Sequence, residues 1–228
     1  MKRGKKYKKV IENINHEEVL SLADGIKKAK ENSYSSFTGS IELHVALNLP
    51  KDVDAKSVKG AVALPHSVGG KGAKVAVFTT PDRDEEATKA GADFVGMDKL
   101  TKDIKDGKIE FDIAIATPSV MPKIAVLGKE LGPKGLMPNP KNGTVSEDIA
   151  TAVGEYKQGK QKFACDESGV VHFVVGKTDM DDEKIIENVH KAMQSISETV
   201  GKGINQILKS THLAPTMGPS VKIEYVKE

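Results

Sequence analysis

The residue types that most often carry chemistry are sparse in this chain and poorly spaced for it. His16, His44, His66, His172, His190 and His212 are scattered over 228 residues. None stands four positions from another, the spacing that sets two imidazoles on one helical face to hold a metal. Each is expected to be a surface or structural histidine. The single cysteine, Cys165, leaves no internal disulfide and no cysteine-based zinc site, and it predicts a reducing, cytoplasmic compartment. There is no G-x-S-x-G elbow, and Gly70-Lys71 is followed by Gly72 rather than by Ser or Thr, so the phosphate-loop pattern is incomplete. Asp82, Asp84, Glu85 and Glu86 fit as helix-starting charges and would repel a pyrophosphate at that helix end. The expectation is a protein with no catalytic residue, no metal and no cofactor. The rival reading, an enzyme acting on a nucleotide or phosphometabolite with residues 69 to 72 as its phosphate site, lacks phosphate-loop, metal and nucleophile signatures.

Binding chemistry is better represented. Between positions 118 and 140 lie five of the ten prolines, and the run Leu127 to Val145 interleaves them with glycines and with Lys129, Lys134 and Lys141. A stiff, exposed, basic loop suits contact with a structured anion better than motion as a lid, although a rigid structural crossover would have the same composition. Near the end of the chain, Thr216-Met217-Gly218-Pro219 combines a flat apolar side chain, a close-approach glycine and a hydroxyl. That set can pack on a base or sugar and bond its 2′-OH, although a buried loop methionine would read the same way. Charge is also unevenly placed. Residues 1 to 10 carry Lys2, Arg3, Lys5, Lys6, Lys8 and Lys9 with no acidic residue, whereas the rest of the chain is slightly acidic, so the net +2 is wholly the arm's. Such an arm is an electrostatic footprint for phosphates or another anionic surface, although a short basic end that is simply solvated would carry the same charges.

These groups must be held by a framework. With hydrophobic residues at 38%, charged at 29% and aromatics at 4%, the composition is that of a soluble globular protein with an aliphatic core. No run approaches the roughly 20 apolar residues of a membrane span, and the basic opening residues lead into no apolar stretch, so neither a membrane partner nor a secretory leader is expected. Val19, Leu20, Ala23, Ile26 and Ala29, with Asn15 and Glu18 as a capping box, predict a helix over 16–32. Alternation over residues 41–49 predicts a half-buried strand, and residues 58–64 a second one. Between residues 73 and 158, apolar strands (AKVAVFT, ADFV, FDIAIAT) alternate with helices at about 82–90, 98–106, 119–131 and 146–158, the texture of a parallel sheet covered on both faces. After Gly159, KQKFACD and GVVHFVV read as a hairpin turning at Glu167-Ser168-Gly169, followed by a helix from Glu183 to about Val200 and a last strand, VKIEYV. Neither flank alone has enough elements to bury what it makes. We therefore expect a discontinuous α+β sandwich domain from residues 1–67 plus 160–228, and an α/β domain inserted at 68–159. Hinges are expected at about 66–72 and 157–161.

LGxxLGPKGLMPNPKxGTV, VKGAVALPH, AGADFVG, FDIAIATPSVMP, the GVVH strand and the terminal TMGP closely resemble the ribosomal protein L-one family, bacterial type, the stalk protein of the large ribosomal subunit. The likeness runs over nearly the whole chain, and the long proline-glycine signature is highly specific. The resemblance implies a discontinuous α+β domain with an inserted Rossmann-like three-layer α/β domain, and no enzymatic activity. It implies three RNA partners: a stalk of large-subunit ribosomal RNA, exit-site tRNA whose deacylated form it helps release, and the protein's own messenger RNA, whose translation it represses. It further implies a ribosomal, cytoplasmic location and a monomer outside the ribosome.

The family's RNA contacts map onto Phe37, Ser40, Glu42, Ser210, Thr216, Met217 and Gly218. In that reading Phe37 and Met217 supply contact area, the hydroxyls supply hydrogen bonds, and Glu42 accepts from 2′-OH or base amino groups or orients a lysine. Electrostatic attraction is assigned to Lys5, Lys6 and Lys9 of the arm and to Lys160 and Lys162, with Lys129, Lys134 and Lys141 as a secondary basic loop on the inserted domain. The chain departs from the family pattern at several positions. Ser35-Ser36 stand where a basic residue commonly precedes the aromatic, Thr38-Gly39 replace a usually acidic pair, Ala164 and Glu167 occupy positions expected to be basic, and Ala214-Pro215 replace small hydroxyl residues.

Overall fold

The computed structural model describes residues 4–11, 18–50, 53–68, 73–107 and 109–225. The chain opens with α1 (Lys5–Ile11), β1 (Val19–Leu20), α2 (Leu22–Glu31), β2 (Ser40–Leu47) and β3 (Lys59–Val62). It continues through β4 (Val75–Phe78), α3 (Asp84–Lys89), β5 (Phe94–Val95), α4 (Met97–Lys105), β6 (Ile113–Ala116), α5 (Met121–Ile124), α6 (Gly128–Leu131) and α7 (Ile149–Lys157). It closes with β7 (Gln161–Ala164), β8 (Val170–Lys177), α8 (Asp182–Val200), α9 (Ile204–Ile207), β9 (Leu208–Pro215) and β10 (Val221–Ile223). The result is a mixed α/β fold that divides into two compact units, Met1–Val68 with Phe163–Glu228, and Gly69–Lys162.

In the unit drawn from both ends, five strands form a sheet in the order β1-β10-β9-β2-β8, antiparallel except for the β1–β10 pair. The alternation of β2 sets its faces: Ile41, Leu43, Val45 and Leu47 are buried, while Ser40, Glu42, His44 and Ala46 are not. The buried set packs with Ile26 and Ala29 of α2 and with Ile185, Val189, Ala192, Met193 and Ile196 of α8. A one-residue slip would turn four core side chains outward at about 1.5–3 kcal/mol each, comparable with the whole stability of a domain, so the register is firmly fixed. Asn188, fully buried on α8, ties three parts of this unit together. Its Nδ2 donates to the carbonyls of His66 (3.0 Å) and Val175 (2.8 Å), and its Oδ1 accepts from His66 N (3.0 Å).

The other unit holds a three-stranded parallel sheet, β5-β4-β6. Its strands β4 and β6 are buried throughout, because helices cover both faces. Ala76, Phe78, Ala114 and Ala116 face Leu100 and Ile104 of α4 together with Val120, Ile124, Leu127 and Leu131. Val75, Val77, Ile113 and Ile115 face Ala87 of α3 and Ile149, Ala152, Val153 and Tyr156 of α7.

Four expectations are corrected. The helix expected over 16–32 begins at Leu22, because Ser21 caps it by accepting from Asp24 N at 3.2 Å, while Val19–Leu20 pair with Lys222–Ile223 as a strand. Val19 and Leu20 fit a helical period, but an available sheet edge satisfies their backbone as well. The capping Asn15 lies outside the described residues, as do His16 and the glycines at 69–72 expected to form a hinge. The helix expected over 119–131 is broken into α5 and α6 with 3-10 turns at Pro118–Val120 and Ala125–Leu127, since Pro118 and Pro122 remove backbone donors. The two arms of the expected hairpin part company: β7 pairs with β3 and β8 with β2. They meet as expected only beside the turn, where Cys165 and Val171 form an isolated antiparallel bridge, Asp166 N donates to Val170 O at 2.9 Å and Gly169 stands at φ +81°. Finally, the basic arm contains a helix, α1, where no element is expected from the sequence.

Candidate nucleic-acid interface

Residues 32–42 and 210–218 are distant in the sequence, and the pairing of β2 with β9 brings them together, with Ile41 opposite Pro215 and Glu42 opposite Ala214. Beyond the ladder, Thr216 N donates to Ser40 O at 2.9 Å, and Tyr34 N donates to Met217 O at 3.2 Å. Thr216 Oγ1 accepts from Ser40 N at 2.9 Å and donates to Ser40 O at 3.1 Å. Gly218 sits so close to the neighbouring chain that a Cβ there would lie 2.6 Å from the Asn32 carbonyl oxygen and 2.6 Å from Pro215 Cγ. Only glycine permits this approach without a shift. The backbone around Met217 is therefore held from both sides.

What this frame presents is unusual for the chain. Phe37 is 59% exposed and Met217 39% exposed, two of the four large hydrophobic residues that face solvent among the described residues. Two exposed apolar side chains on paired segments that also carry Ser40, Thr216 and Glu42 are the composition that stacks on bases and bonds sugar edges. Ser35, one of the departures from the expected family pattern, has local employment. Ser35 Oγ donates to Phe37 O at 2.7 Å, and the Ser33 and Ser35 hydroxyls lie 3.2 Å apart, so these serines shape the turn that displays Phe37 instead of supplying charge.

The arm reaches the same region. Tyr7 of α1 meets Tyr34 edge to face, with ring centroids 6.4 Å apart and planes at 89°, and Tyr34 is the residue bonded to the Met217 carbonyl. Lys5, Lys6, Lys8 and Lys9 are exposed along α1 while Tyr7, Val10 and Ile11 are partly covered. Lys2 and Arg3 lie outside the described residues.

Strand pairing also assembles a group that spacing along the sequence hides. His44 of β2 lies directly opposite His172 of β8 on one side and His212 of β9 on the other. The Nδ1 atoms of His44 and His172 are 2.8 Å apart, and Lys222 of β10 stands opposite His212. Burial and then the neighbouring His172 push the His44 imidazole below its ordinary pKa; burial and then Lys222 do the same to His212. The remaining histidines in the described residues are structural: His66 Nε2 lies 2.7 Å from Glu187 Oε2, and His190 Nδ1 lies 3.1 Å from the Tyr225 hydroxyl. Among the described residues, no three His, Cys, Asp or Glu side chains are grouped to hold a metal ion, and no helix is long and apolar enough to cross a membrane.

Residues 27–219 match the model of the ribosomal protein L1p/L10e family. The large ribosomal subunit protein uL1 of Streptomyces coelicolor is 41% identical over 227 residues, covering 98% of this chain and 92% of that protein. Those of Kosmotoga olearia and Treponema denticola are 40% and 41% identical over 229 residues, each covering 99% of this chain and 98% of the relative. The chain belongs to the ribosomal protein L1p/L10e family. The matched span contains every patch residue from Phe37 to Gly218, whereas Lys5, Lys6 and Lys9 precede it.

The proline-glycine signature of this family member lies in the Gly69–Lys162 unit. Lys129, Lys134 and Lys141 are exposed there. The loop beneath them is tied by Asn139 N to Thr144 Oγ1 at 2.7 Å, by Lys141 N to Asn139 Oδ1 at 2.9 Å and by Tyr156 Oη to Asn142 O at 2.5 Å. Burial, with Glu155 second, pushes the Tyr156 phenol up to about 12, so it remains a donor throughout the physiological range. Lys160 and Lys162, to which electrostatic attraction is assigned from the sequence, fall in this unit and have local partners. Lys160 Nζ is 2.6 Å from Glu155 Oε2 and sits over the Tyr156 ring, and Lys162 Nζ donates to Gly135 O at 2.6 Å. Burial lowers the pKa of Lys162. Both lysines brace the loop.

Tyr7, Tyr34, Asn32 and the three aligned histidines are not legible as site residues in the sequence. Each histidine does fall on the polar face of an alternating strand, but only the register brings them together.

Proposed function

We propose that this chain is a structural RNA-binding protein of the large ribosomal subunit, acting without catalysis, whose terminal unit grips a stalk of large-subunit ribosomal RNA near the tRNA exit site. The observation that carries this reading is the display of Phe37 and Met217 on a frame locked by Thr216, Ser40 and Gly218. Relatives named large ribosomal subunit proteins support it. Specificity comes from stacking and from hydroxyl contacts in the patch, and long-range attraction from the lysines of α1. In the same reading, the two units are domains hinged at about 66–72 and 157–161. The inserted one carries Lys129, Lys134 and Lys141 toward exit-site tRNA, assisting release of the deacylated form. A messenger that folds like the stalk would compete for the same patch, which makes the protein a repressor of its own translation. The protein would work in the cytoplasm on the ribosome and be monomeric when free. The test is equilibrium binding to a stalk fragment of large-subunit ribosomal RNA and to a scrambled RNA of equal length. The expected result is tight, salt-sensitive binding with a preference for the stalk of at least about a thousandfold; equal affinity for both RNAs would overturn it.

A further inference from the structure

The proposed contact residues do not form one spot. Ser40 and Glu42 lie at one end of β2, whereas Ser210 lies opposite Ala46, toward its other end. His44 and its partner His212 occupy the step between, with His172 beside them on β8. An RNA that touches both Glu42 and Ser210 must therefore cross the imidazoles. The way across is low: Ala46 and Ala214 are the neighbouring side chains on this face, and α2 and α8 pack into the core that backs the sheet's buried side.

We propose that His172, His44 and His212 form an RNA-backbone contact surface, a continuation of the patch across the open face of the sheet, in which protonated imidazoles donate to phosphate oxygens. This rests on the RNA-binding reading above. The charged groups around the row are Glu42 on β2, with Oε2 3.9 Å from His44 Nε2, and Asp166 in the turn before β8, with Oδ2 3.8 Å from His172 Nε2. Lys177 ends β8 opposite Ser40, and Lys222 and Glu224 lie on the far side along β10 and just beyond it. With both imidazoles neutral, one Nδ1 donates to the other across 2.8 Å. The pair can then accept one proton without breaking that bond, whereas a second would set two N–H groups against each other. His212 can take another. In the free protein, burial and then the neighbouring His172 hold the His44 imidazole below its ordinary pKa, and burial and then Lys222 do the same to His212; a phosphate laid on the row favours the charged form. RNA binding then takes up protons, two at most, and affinity rises on acidification by up to about tenfold for each proton whose pKa is raised by one unit.

The experiment measures affinity of the full chain for a stalk fragment of large-subunit ribosomal RNA from about pH 8.0 to about 5.8 at fixed ionic strength, with His44→Gln, His172→Gln and the double variant beside the wild type. Circular dichroism checks folding at each pH. We expect wild-type binding to tighten as pH falls and the double variant to lose most of that dependence. His172, the more exposed of the pair, provides a variant that leaves the core untouched should His44→Gln fail to fold. A pH profile flat in the wild type, or equally steep in the variants, overturns the histidine surface alone. No binding of the wild type at the alkaline end removes the RNA reading and this inference with it.

Discussion

Thr216 and Ser40, 176 positions apart in the chain, are joined by three hydrogen bonds. The backbone of Thr216 donates to Ser40 O at 2.9 Å, and its hydroxyl accepts from Ser40 N at 2.9 Å while donating to Ser40 O at 3.1 Å. A side chain thus completes the β2–β9 ladder at the point where the ladder opens into the loop bearing Met217. Thr216→Val keeps the shape and removes two of the three bonds. It should lower stability by about 1–2 kcal/mol and weaken RNA binding, whereas Thr216→Ser should restore both; urea denaturation and gel-shift titration read the two effects.

Gly218 and Gly39 offer a contrast within one patch. A Cβ at 218 would meet the Asn32 carbonyl at 2.6 Å, whereas at 39 its nearest neighbours are Ser35 Oγ and Thr216 Cβ at 3.7 Å, an ordinary contact. Gly218→Ala should therefore cost about 1–3 kcal/mol by overpacking and displace Met217, while Gly39→Ala should leave melting temperature and RNA affinity nearly unchanged. Thermal melts of the two variants side by side decide it.

The lysines of α1 should act through charge alone. Replacing Lys5, Lys6, Lys8 and Lys9 by Gln leaves Tyr7 on Tyr34. It should weaken binding to every RNA by a similar factor and reduce the slope of log affinity against log salt by roughly 0.7–0.9 for each phosphate the arm ceases to neutralise. A salt titration with an unchanged slope would remove the arm from the interface.

Acid should destabilise the free protein through His44 and His212. Both have folded-state pKa values below their ordinary ones, so the folded state binds fewer protons than the unfolded one. Their contribution is fully present above the unfolded value of about 6.5 and is lost as pH falls through the depressed folded values. Melting temperature should drop as pH is lowered from about 7.5 through this window, and His44→Gln should flatten the decline.

The sheets were legible wherever one residue type alternated with another, as in Ile41 to Leu47, and wherever short apolar runs alternated with helices, as around Val75–Phe78 and Ile113–Ala116. Val19–Leu20 escape because two residues fit either period, and only their partner, Lys222–Ile223, decides between them. The β7–β8 hairpin misleads for a related reason: a turn at Gly169 is a local signal, whereas the choice of β3 and β2 as partners is a tertiary one. Site residues follow the same division. Phe37 and Met217 can be singled out by resemblance, but Lys160 and Lys162 look like free charge until Glu155 and Gly135 are seen beside them. The histidines look scattered until the register aligns them.

If the patch framed by Thr216 and Ser40 is the RNA interface, Met217→Asp tests it most directly. Met217 is 39% exposed, so the variant should fold and melt as the wild type does, while a carboxylate set against a phosphate-rich surface should abolish specific binding to the ribosomal RNA stalk fragment. A folded Met217→Asp protein that binds that fragment in gel-shift titration within about threefold of wild type would contradict the assignment, since a carboxylate unpaired against phosphate should cost far more than that.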